Sequence, residues 1–153
     1  MKVSEIVDKH GNARENLIQI LHDLQDASGD HSLHREDLED LAGIMGLSVS
    51  DIVGTASFYT MFSLQPRGRH IIRVCVSPPC HIMGDDNILA AVRDKLGVEL
   101  GETTADRMFT FESSSCLGAC GVAPVLSIDD EVYGNLTRAK VHEIIDRIAA
   151  ANN

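Results

Sequence analysis

Several features that would indicate common functions are missing from this chain of 153 residues. No stretch approaches the roughly 18 consecutive apolar residues that a membrane helix needs, so we expect no direct membrane insertion. Thirteen basic and 23 acidic residues give a net charge of -10. Because this charge repels a phosphate backbone, nucleic acid is not expected as a partner. The first residues, MKVSEIVDKHGNAREN, contain no apolar run long enough for a signal peptide, and their acidic residues are not typical of a mitochondrial presequence. We therefore expect a cytoplasmic protein.

Motifs for nucleotide binding and for dithiol chemistry are also missing. The chain has neither a GxGxxG fingerprint nor a P-loop, so it should not bind a nucleotide on its own. It has no Cys-x-x-Cys, the usual motif of dithiol redox enzymes. It does contain four cysteines, which in a reducing compartment are more often metal ligands or catalytic thiols than two disulfides.

The hydrophobic pattern changes near Pro66-Arg67-Gly68 and predicts two domains, 1–66 and 67–153. The first domain has helical period and is interpreted as a small three-helix bundle. Its first helix carries apolar residues from Leu17 to Leu24 and is expected to end before Gly29. Two more are expected between Ser32 and Gly46 and after Ser48, where Ser48-Val-Ser-Asp51 is a capping box. The aromatic residues that follow, Phe58, Tyr59 and Phe62, could form a docking surface for a partner, but packing in the core between the two domains is the favoured interpretation.

The second domain alternates strand-like and helical segments. We predict strands at 70–75 and 108–112, a hairpin over 124–133 that turns at 129–131, a helix from Asp85 to Gly97, and a last helix capped by Thr137. The segment between Cys75 and Asp85, with its two prolines, is expected to be a loop. This order predicts an α/β fold with thioredoxin-like layers, in which the first strand and helix form a parallel crossover.

The cysteines form two pairs with metal-ligand spacing. Cys75 and Cys80 are separated by four residues, Cys116 and Cys120 by three, and each pair follows a predicted strand. Two such loops at one sheet edge would bring four thiolates together. Spacing alone leaves three readings open: a 2Fe-2S cluster, a four-cysteine zinc site, or a thiol enzyme. A 2Fe-2S centre is anionic and favours tight turns that aim backbone N–H groups at sulfur. Gly84, Gly118 and Gly121 could form such turns, or they could be ordinary turn glycines.

A set of longer motifs is more specific than the cysteines alone. Together they resemble the thioredoxin-like 2Fe-2S subunit of NADH:quinone oxidoreductase, or respiratory complex I, whose relatives occur in NAD-dependent formate dehydrogenases and electron-bifurcating hydrogenases. The resemblance covers residues 14–150 and rests on Val-Cys-Val-Ser-Pro-Pro-Cys at 74–80, Leu-Gly-Val-Glu-Leu-Gly-Glu-Thr-Thr at 96–104, Cys-Leu-Gly-Ala-Cys at 116–120, Ala-Pro at 123–124, residues 133–136, and Ala-Ser-Phe-Tyr-Thr-Met-Phe at 56–62.

The resemblance implies a function and a ligand set. It implies that Cys75, Cys80, Cys116 and Cys120 ligate a 2Fe-2S cluster in a thioredoxin-like ferredoxin domain preceded by a small helical bundle. It also implies an FMN- and NADH-binding flavoprotein partner with which the cluster exchanges single electrons. The chain would then be a subunit of an NAD(H)-dependent oxidoreductase complex, with no catalytic site of its own. Such a complex could hold it at the cytoplasmic membrane.

Alternatives to this interpretation remain. The chain could be a structural or assembly subunit whose cluster lies off the main electron route, and motifs do not say which complex it serves: quinone reductase, formate dehydrogenase or hydrogenase. His81 directly follows Cys80, but with four cysteines present we interpret it as a surface histidine rather than a ligand.

Overall fold

The computed structural model of the protein describes residues 2–151, which divide into two compact units between Arg67 and Gly68. The first unit is helical, and the second combines helices with a four-stranded sheet. Within residues 2–151, no helix has both the length and the apolar character needed to cross a membrane.

The first unit consists of α1 (Val3–His10), α2 (Leu17–Ala27), α3 (Arg35–Met45) and α4 (Val49–Phe58). Helix α4 begins as its capping box predicts, because the Ser48 hydroxyl accepts the Asp51 N–H at 3.1 Å. The buried apolar side chains of this unit are aliphatic apart from one phenylalanine: Val3, Ile6, Val7, Leu17, Ile20, Leu21, Leu24, Leu33, Leu38, Leu41, Ala42, Ile52, Ala56 and Phe62.

Two features of this unit differ from the sequence prediction. Helix α1 is a fourth helix that the three-helix interpretation omits, because its eight residues bury only Val3, Ile6 and Val7 and give too short a periodic signal. The core assignment is wrong for Phe58, whose side chain is 78% exposed at the end of α4, whereas Phe62 is buried.

The sheet of the second unit has the order β2-β1-β3-β4. Its strands are β1 (His70–Cys75), β2 (Phe109–Ser114), β3 (Leu126–Ile128) and β4 (Glu131–Tyr133). Strand β1 is parallel to β2 and antiparallel to β3, and β3 and β4 form an antiparallel hairpin. The predicted α/β class with thioredoxin-like layers is therefore confirmed.

Two helices complete this layer structure. Helix α6 (Asp85–Leu96) connects β1 to β2, and α7 (Arg138–Ala151) follows the hairpin and packs on α6. Thr137 caps α7 as predicted, since its hydroxyl accepts the Lys140 N–H at 3.3 Å. The core combines sheet and helix residues: Ile72, Val74, Ile88, Ala91, Val92, Phe109, Phe111, Leu126, Ile128, Leu136, Val141 and Ile145.

The segment between β1 and α6 contains a short helix where the sequence predicts a loop. This helix, α5 (Pro78–Ile82), begins at the two prolines and carries Cys80. Proline is well suited to the first turn of a helix, because its missing N–H would have no intrahelical partner there. The two prolines therefore start a helical turn instead of only stiffening a loop.

Candidate metal centre

The two cysteine pairs lie at the same edge of the sheet. Cys75 is the last residue of β1, and its register partner on β2 is Ser114, two residues before Cys116. Cys80 lies in α5, and Cys120 begins a single 3-10 turn that ends at Val122. Because β1 and β2 are parallel, their carboxyl ends meet at one edge, and the loops that follow carry all four thiols there.

The thiols are arranged as two close pairs. The Sγ atoms of Cys116 and Cys120 are 3.5 Å apart, and the thiols of Cys75 and Cys80 interact electrostatically with each other. All four cysteines are free, so neither pair is a disulfide. The two pairs are also within electrostatic range, since Cys120 interacts with both Cys75 and Cys80.

This pairing distinguishes between the metal readings. A single tetrahedral zinc with Zn–S bonds of about 2.3 Å would bring every two of its four sulfurs to about 3.8 Å. Within residues 2–151, the only three potential ligand atoms that lie within 4.8 Å of one another belong to His81, Asp85 and Asp86, so no three cysteine sulfurs do. Two separated pairs of soft donors fit a centre with two metal ions better than one zinc ion.

The two pairs differ in their exposure to solvent. Cys75 and Cys80 are 1% and 0% exposed and pack with Ala123 and Val125, whereas Cys116 and Cys120 are exposed. The candidate centre therefore has one pair of sulfurs inside the protein and one pair at the surface.

Hydrogen bonds and burial act in opposite directions on the buried pair. Burial raises the pKa of the Cys75 thiol, but backbone N–H donors at Ser77 and Leu117 and the thiol of Cys80 outweigh it and lower that pKa. The pKa of Cys80 is raised to about 11, chiefly by burial and further by the interaction with Cys75. The pair thus holds one negative charge readily and resists a second one unless a cation is bound.

The exposed pair resists double ionisation for a similar reason. The hydrogen bond with Cys116 and the charge of that residue raise the pKa of Cys120. In the same loop Gly118 has φ +78° and its N–H donates to the Cys116 Sγ at 3.4 Å, which confirms the tight turn predicted at this glycine. Gly121, in contrast, does not have a positive φ.

Sequence reasoning misses several groups that shape this site. The N–H donors at Ser77, Leu117 and Val125 leave no sequence signal, because any residue except proline can supply them. Gly134 lies well beyond the cysteines in the chain, yet a Cβ there would meet the Val122 Cγ2 at 2.5 Å and its backbone oxygen at 2.9 Å. The only sequence signal for Gly134 is that it lies in residues 133–136, one of the segments on which the family resemblance rests.

His81 is hydrogen-bonded to a carboxylate. Its Nδ1 lies 2.9 Å from the Asp85 Oδ1, and its side chain is 64% exposed while that of Asp85 is 2% exposed. The hydrogen bond to Asp85 raises the pKa of His81. This pairing agrees with the interpretation of His81 as a surface residue.

Comparison with known proteins places the chain in a family. Residues 3–149 match the family model of the thioredoxin-like [2Fe-2S] ferredoxins. The E subunit of the NADH-quinone oxidoreductase of Rickettsia conorii is 37% identical over 145 residues, which cover 94% of this chain and 87% of that protein. Its counterpart in Aquifex aeolicus is 34% identical over 146 residues, with 95% and 90% coverage.

A solved structure supports the same fold. A crystal structure of an NAD+-reducing [NiFe]-hydrogenase superposes with a TM-score of 0.76 at 24% identity, over 89% of this chain and 23% of the hydrogenase chain. At that level of identity the match shows the fold alone. The resemblance drawn from the sequence motifs is confirmed: this chain belongs to the thioredoxin-like [2Fe-2S] ferredoxin family, and its cofactor is a 2Fe-2S cluster.

Proposed function

We propose that this protein is an electron-transfer subunit of an NADH:quinone oxidoreductase, with Cys75, Cys80, Cys116 and Cys120 as the four cluster ligands. The observation that carries the ligand assignment is the meeting of two thiol pairs at one sheet edge, with 3.5 Å between the Sγ atoms of the second pair. The relatives are named as subunits of NADH-quinone oxidoreductases, and these names support the choice of complex.

When bound, the cluster takes up and releases one electron at a time. The residues of the chain supply ligation and a partly dry setting for it. Cys75 and Cys80, which are buried with Ala123 and Val125, would hold it from inside the protein, and the exposed Cys116 and Cys120 would hold it at the surface. N–H groups at Ser77, Leu117, Val125 and Gly118 point toward sulfur, where they stabilise thiolate charge.

The partner in this proposal is a subunit that binds FMN and NADH. No step of hydride chemistry is assigned to this chain, which has neither a GxGxxG fingerprint nor a P-loop. The exposed pair Cys116 and Cys120 gives the partner a short route to the centre, because no side chain covers these sulfurs fully. The chain would thus connect the flavin to the cluster by single-electron exchange.

The test mixes the two subunits and follows the electron. The full chain, reduced anaerobically and freed of reductant, is mixed in a stopped-flow instrument with the oxidised FMN-bearing subunit purified from the same complex. We expect the flavin absorbance to bleach while the reduced-cluster EPR signal disappears. A flavin that remains oxidised, while the cluster stays reduced in contact with it, would contradict the proposed function.

A further inference from the structure

Arg73 and Glu112 are the last charged residues before the two segments that carry the cysteines. Residues 74–84 and 113–128 include no Lys, Arg, Asp or Glu, although 24% of the chain is charged. The first segment begins directly after Arg73 and contains one cysteine pair, and the second begins directly after Glu112 and contains the other. Along each strand that leads to the thiols, one residue therefore supplies the final charge.

The sheet brings these two charges together. Arg73 on β1 and Glu112 on β2 are register partners, and the Arg73 Nε donates a hydrogen bond to the Glu112 Oε2 at 3.1 Å. The two side chains are only 26% and 23% exposed. Water and salt screen such half-buried charges less than they screen charges on an open surface. The field of each charge therefore reaches its surroundings with little attenuation.

The ion pair lies on the same face of the sheet as Cys75. Side chains alternate between the two faces of a strand, and Ile72 and Val74 of β1 belong to the core that contains α6 and α7. Arg73 and Cys75 therefore lie on the opposite face, with their Cα atoms about 6.6 Å apart, which is twice the rise per residue of a strand. Glu112 shares this face as the register partner of Arg73.

A charge at this place acts on the uptake of an electron. Reduction adds one negative charge to a centre that is already anionic, so a neighbouring positive charge favours the reduced cluster and a negative one disfavours it. We infer that the ion pair of Arg73 and Glu112 sets the reduction potential of the cluster by balancing the two charges beside Cys75. Neither residue is a ligand in this account. The inference rests on the ligand assignment in the proposed function and goes beyond it.

A purely structural role for the ion pair predicts a different result. Cross-strand pairs of opposite charge stabilise sheets wherever they occur. If the pair only joined β1 to β2, its loss from either side would break the same contact and would affect the cluster in the same way. If its charges act on the cluster, removing the positive charge and removing the negative charge must shift the potential in opposite directions.

The test is a redox titration of the full chain. Chains carrying Arg73→Gln, Glu112→Gln, both substitutions together or Arg73→Lys are purified anaerobically, and the EPR signal of the reduced cluster is followed against the applied potential at one neutral pH and one salt concentration. Arg138→Gln is the matched control, because it removes one positive charge from the same unit. Arg138 pairs with Asp94, which lies in the last turn of α6, at the opposite end of that helix from α5.

The readout is the ratio of reduced to oxidised cluster at the midpoint potential of the unsubstituted chain. We expect Arg73→Gln to lower this ratio about threefold or more and Glu112→Gln to raise it by a similar factor. The double variant and Arg73→Lys should stay within about twofold of the unsubstituted chain, because each keeps the two charges balanced, and Arg138→Gln should change the ratio least.

Several results would overturn the inference. They are shifts of the two single glutamine variants in the same direction, a shift in either that does not exceed the shift of Arg138→Gln, and a shift of Arg73→Lys as large as that of Arg73→Gln. Loss of the cluster from the glutamine variants would make the pair a structural contact and overturns the inference too. If the unsubstituted chain gives no one-electron cluster signal, the proposed function is what fails.

Discussion

At the scale of single residues, the four cysteines are not equivalent. Burial and backbone N–H donors fix Cys75 and Cys80 inside the second unit, while Cys116 and Cys120 lie on a short exposed loop. A buried thiol pair resists carrying two negative charges without a cation. In the proposed ligand set, the inner pair would hold the cluster inside the protein, and the outer pair would hold it at the surface.

Gly134 controls the loop that carries the outer pair. A Cβ at this position would approach the Val122 backbone oxygen to 2.9 Å, so Gly134→Ala must displace the turn that begins at Cys120. We expect a loss of about 1–3 kcal/mol in the free energy of unfolding and faster release of iron. Denaturant unfolding and the decay of cluster absorbance measure these two effects.

Gly121→Ala is the matched control in the same loop. Its Cβ would meet no atom within 4 Å, and its backbone angles suit any residue. We expect unfolding free energy within about 0.5 kcal/mol of the unsubstituted chain. Equal iron release from the two variants would show that the contact between Gly134 and Val122 does not support the loop.

His34 provides a pH-dependent contact in the first unit. The hydrogen bond with Asp30, at 3.0 Å between Nε2 and Oδ2, raises the pKa of His34 above its ordinary 6.5. Because the folded pKa is the higher one, the stability gained is fully present below pH 6.5 and is lost as the pH rises through the folded pKa. Asp30→Asn should return the His34 pKa toward 6.5.

An NMR titration of the histidine ring measures that change. Asp37→Asn is the control, because the Asp37 carboxylate lies farther from the ring, at 3.9 Å from Nδ1, and we expect a smaller fall in pKa. If Asp37→Asn lowers the pKa of His34 more than Asp30→Asn does, the assigned cause is wrong.

At the scale of elements, the sheet positions the site through its hydrophobic face. Phe111 is 0% exposed and lies in the core on β2, the strand that leads to Cys116. Phe111→Ala should cost about 3–5 kcal/mol of unfolding free energy, because it removes buried surface and leaves a cavity. Phe58→Ala removes the same side chain at a position that is 78% exposed and should cost about 0.5 kcal/mol or less.

Thermal unfolding of the two variants checks this contrast. We expect a clear drop in the melting temperature for Phe111→Ala and almost none for Phe58→Ala. Similar shifts for both would mean that the Phe111 side chain does not contribute to the core beneath the sheet.

The sequence predicts elements well where a periodic pattern is long. Strand β1, helix α6 and the hairpin follow from runs of apolar residues bounded by turn residues, and the structure has them at the predicted places. Helix α1 is not predicted because eight residues give little periodicity. Helix α5 is not predicted because two prolines are taken to indicate a loop, although proline also favours the first turn of a helix.

The candidate site is only partly predictable for a different reason. Cysteine spacing identifies four soft donors, but it leaves zinc and iron-sulfur as competing readings until the distances between the pairs are known. Contacts such as Gly134 with Val122 depend on how distant segments pack, and no local pattern encodes them. The longer motifs show the family resemblance because they contain residues that make such contacts, although a motif does not reveal which residue it contacts.

At the scale of the whole molecule, charged residues are unevenly distributed along the chain. The chain carries a net charge of -10, yet the two segments around the thiols have no Lys, Arg, Asp or Glu. A net charge far from zero limits nonspecific association between copies of a chain. The uncharged segments leave Arg73 and Glu112, which pair with each other, as the last charged residues before the two thiol pairs.

Measurements on the assembled complex distinguish an electron-transfer subunit from a structural subunit. In the complex that contains Cys120→Ala, one proposed ligand is lost from an exposed loop, and the core of the sheet is unchanged. We expect assembly close to normal and turnover reduced by about tenfold or more. Poor assembly combined with normal turnover per assembled complex would instead favour a structural subunit with a cluster off the main route.

The central claim is that the four cysteines hold a 2Fe-2S cluster, and metal analysis of the anaerobically purified full chain tests it most directly. Iron, acid-labile sulfide and zinc are measured together with the EPR spectrum of the reduced protein, for the unsubstituted chain and for alanine variants of Cys75, Cys80, Cys116 and Cys120. For the unsubstituted chain we predict two iron and two sulfide per chain and the EPR signal of a cluster that has taken up one electron. In each alanine variant we predict lower iron and sulfide contents and a weaker EPR signal. Stoichiometric zinc without iron, or an unaltered cluster in any of the four variants, would contradict the claim.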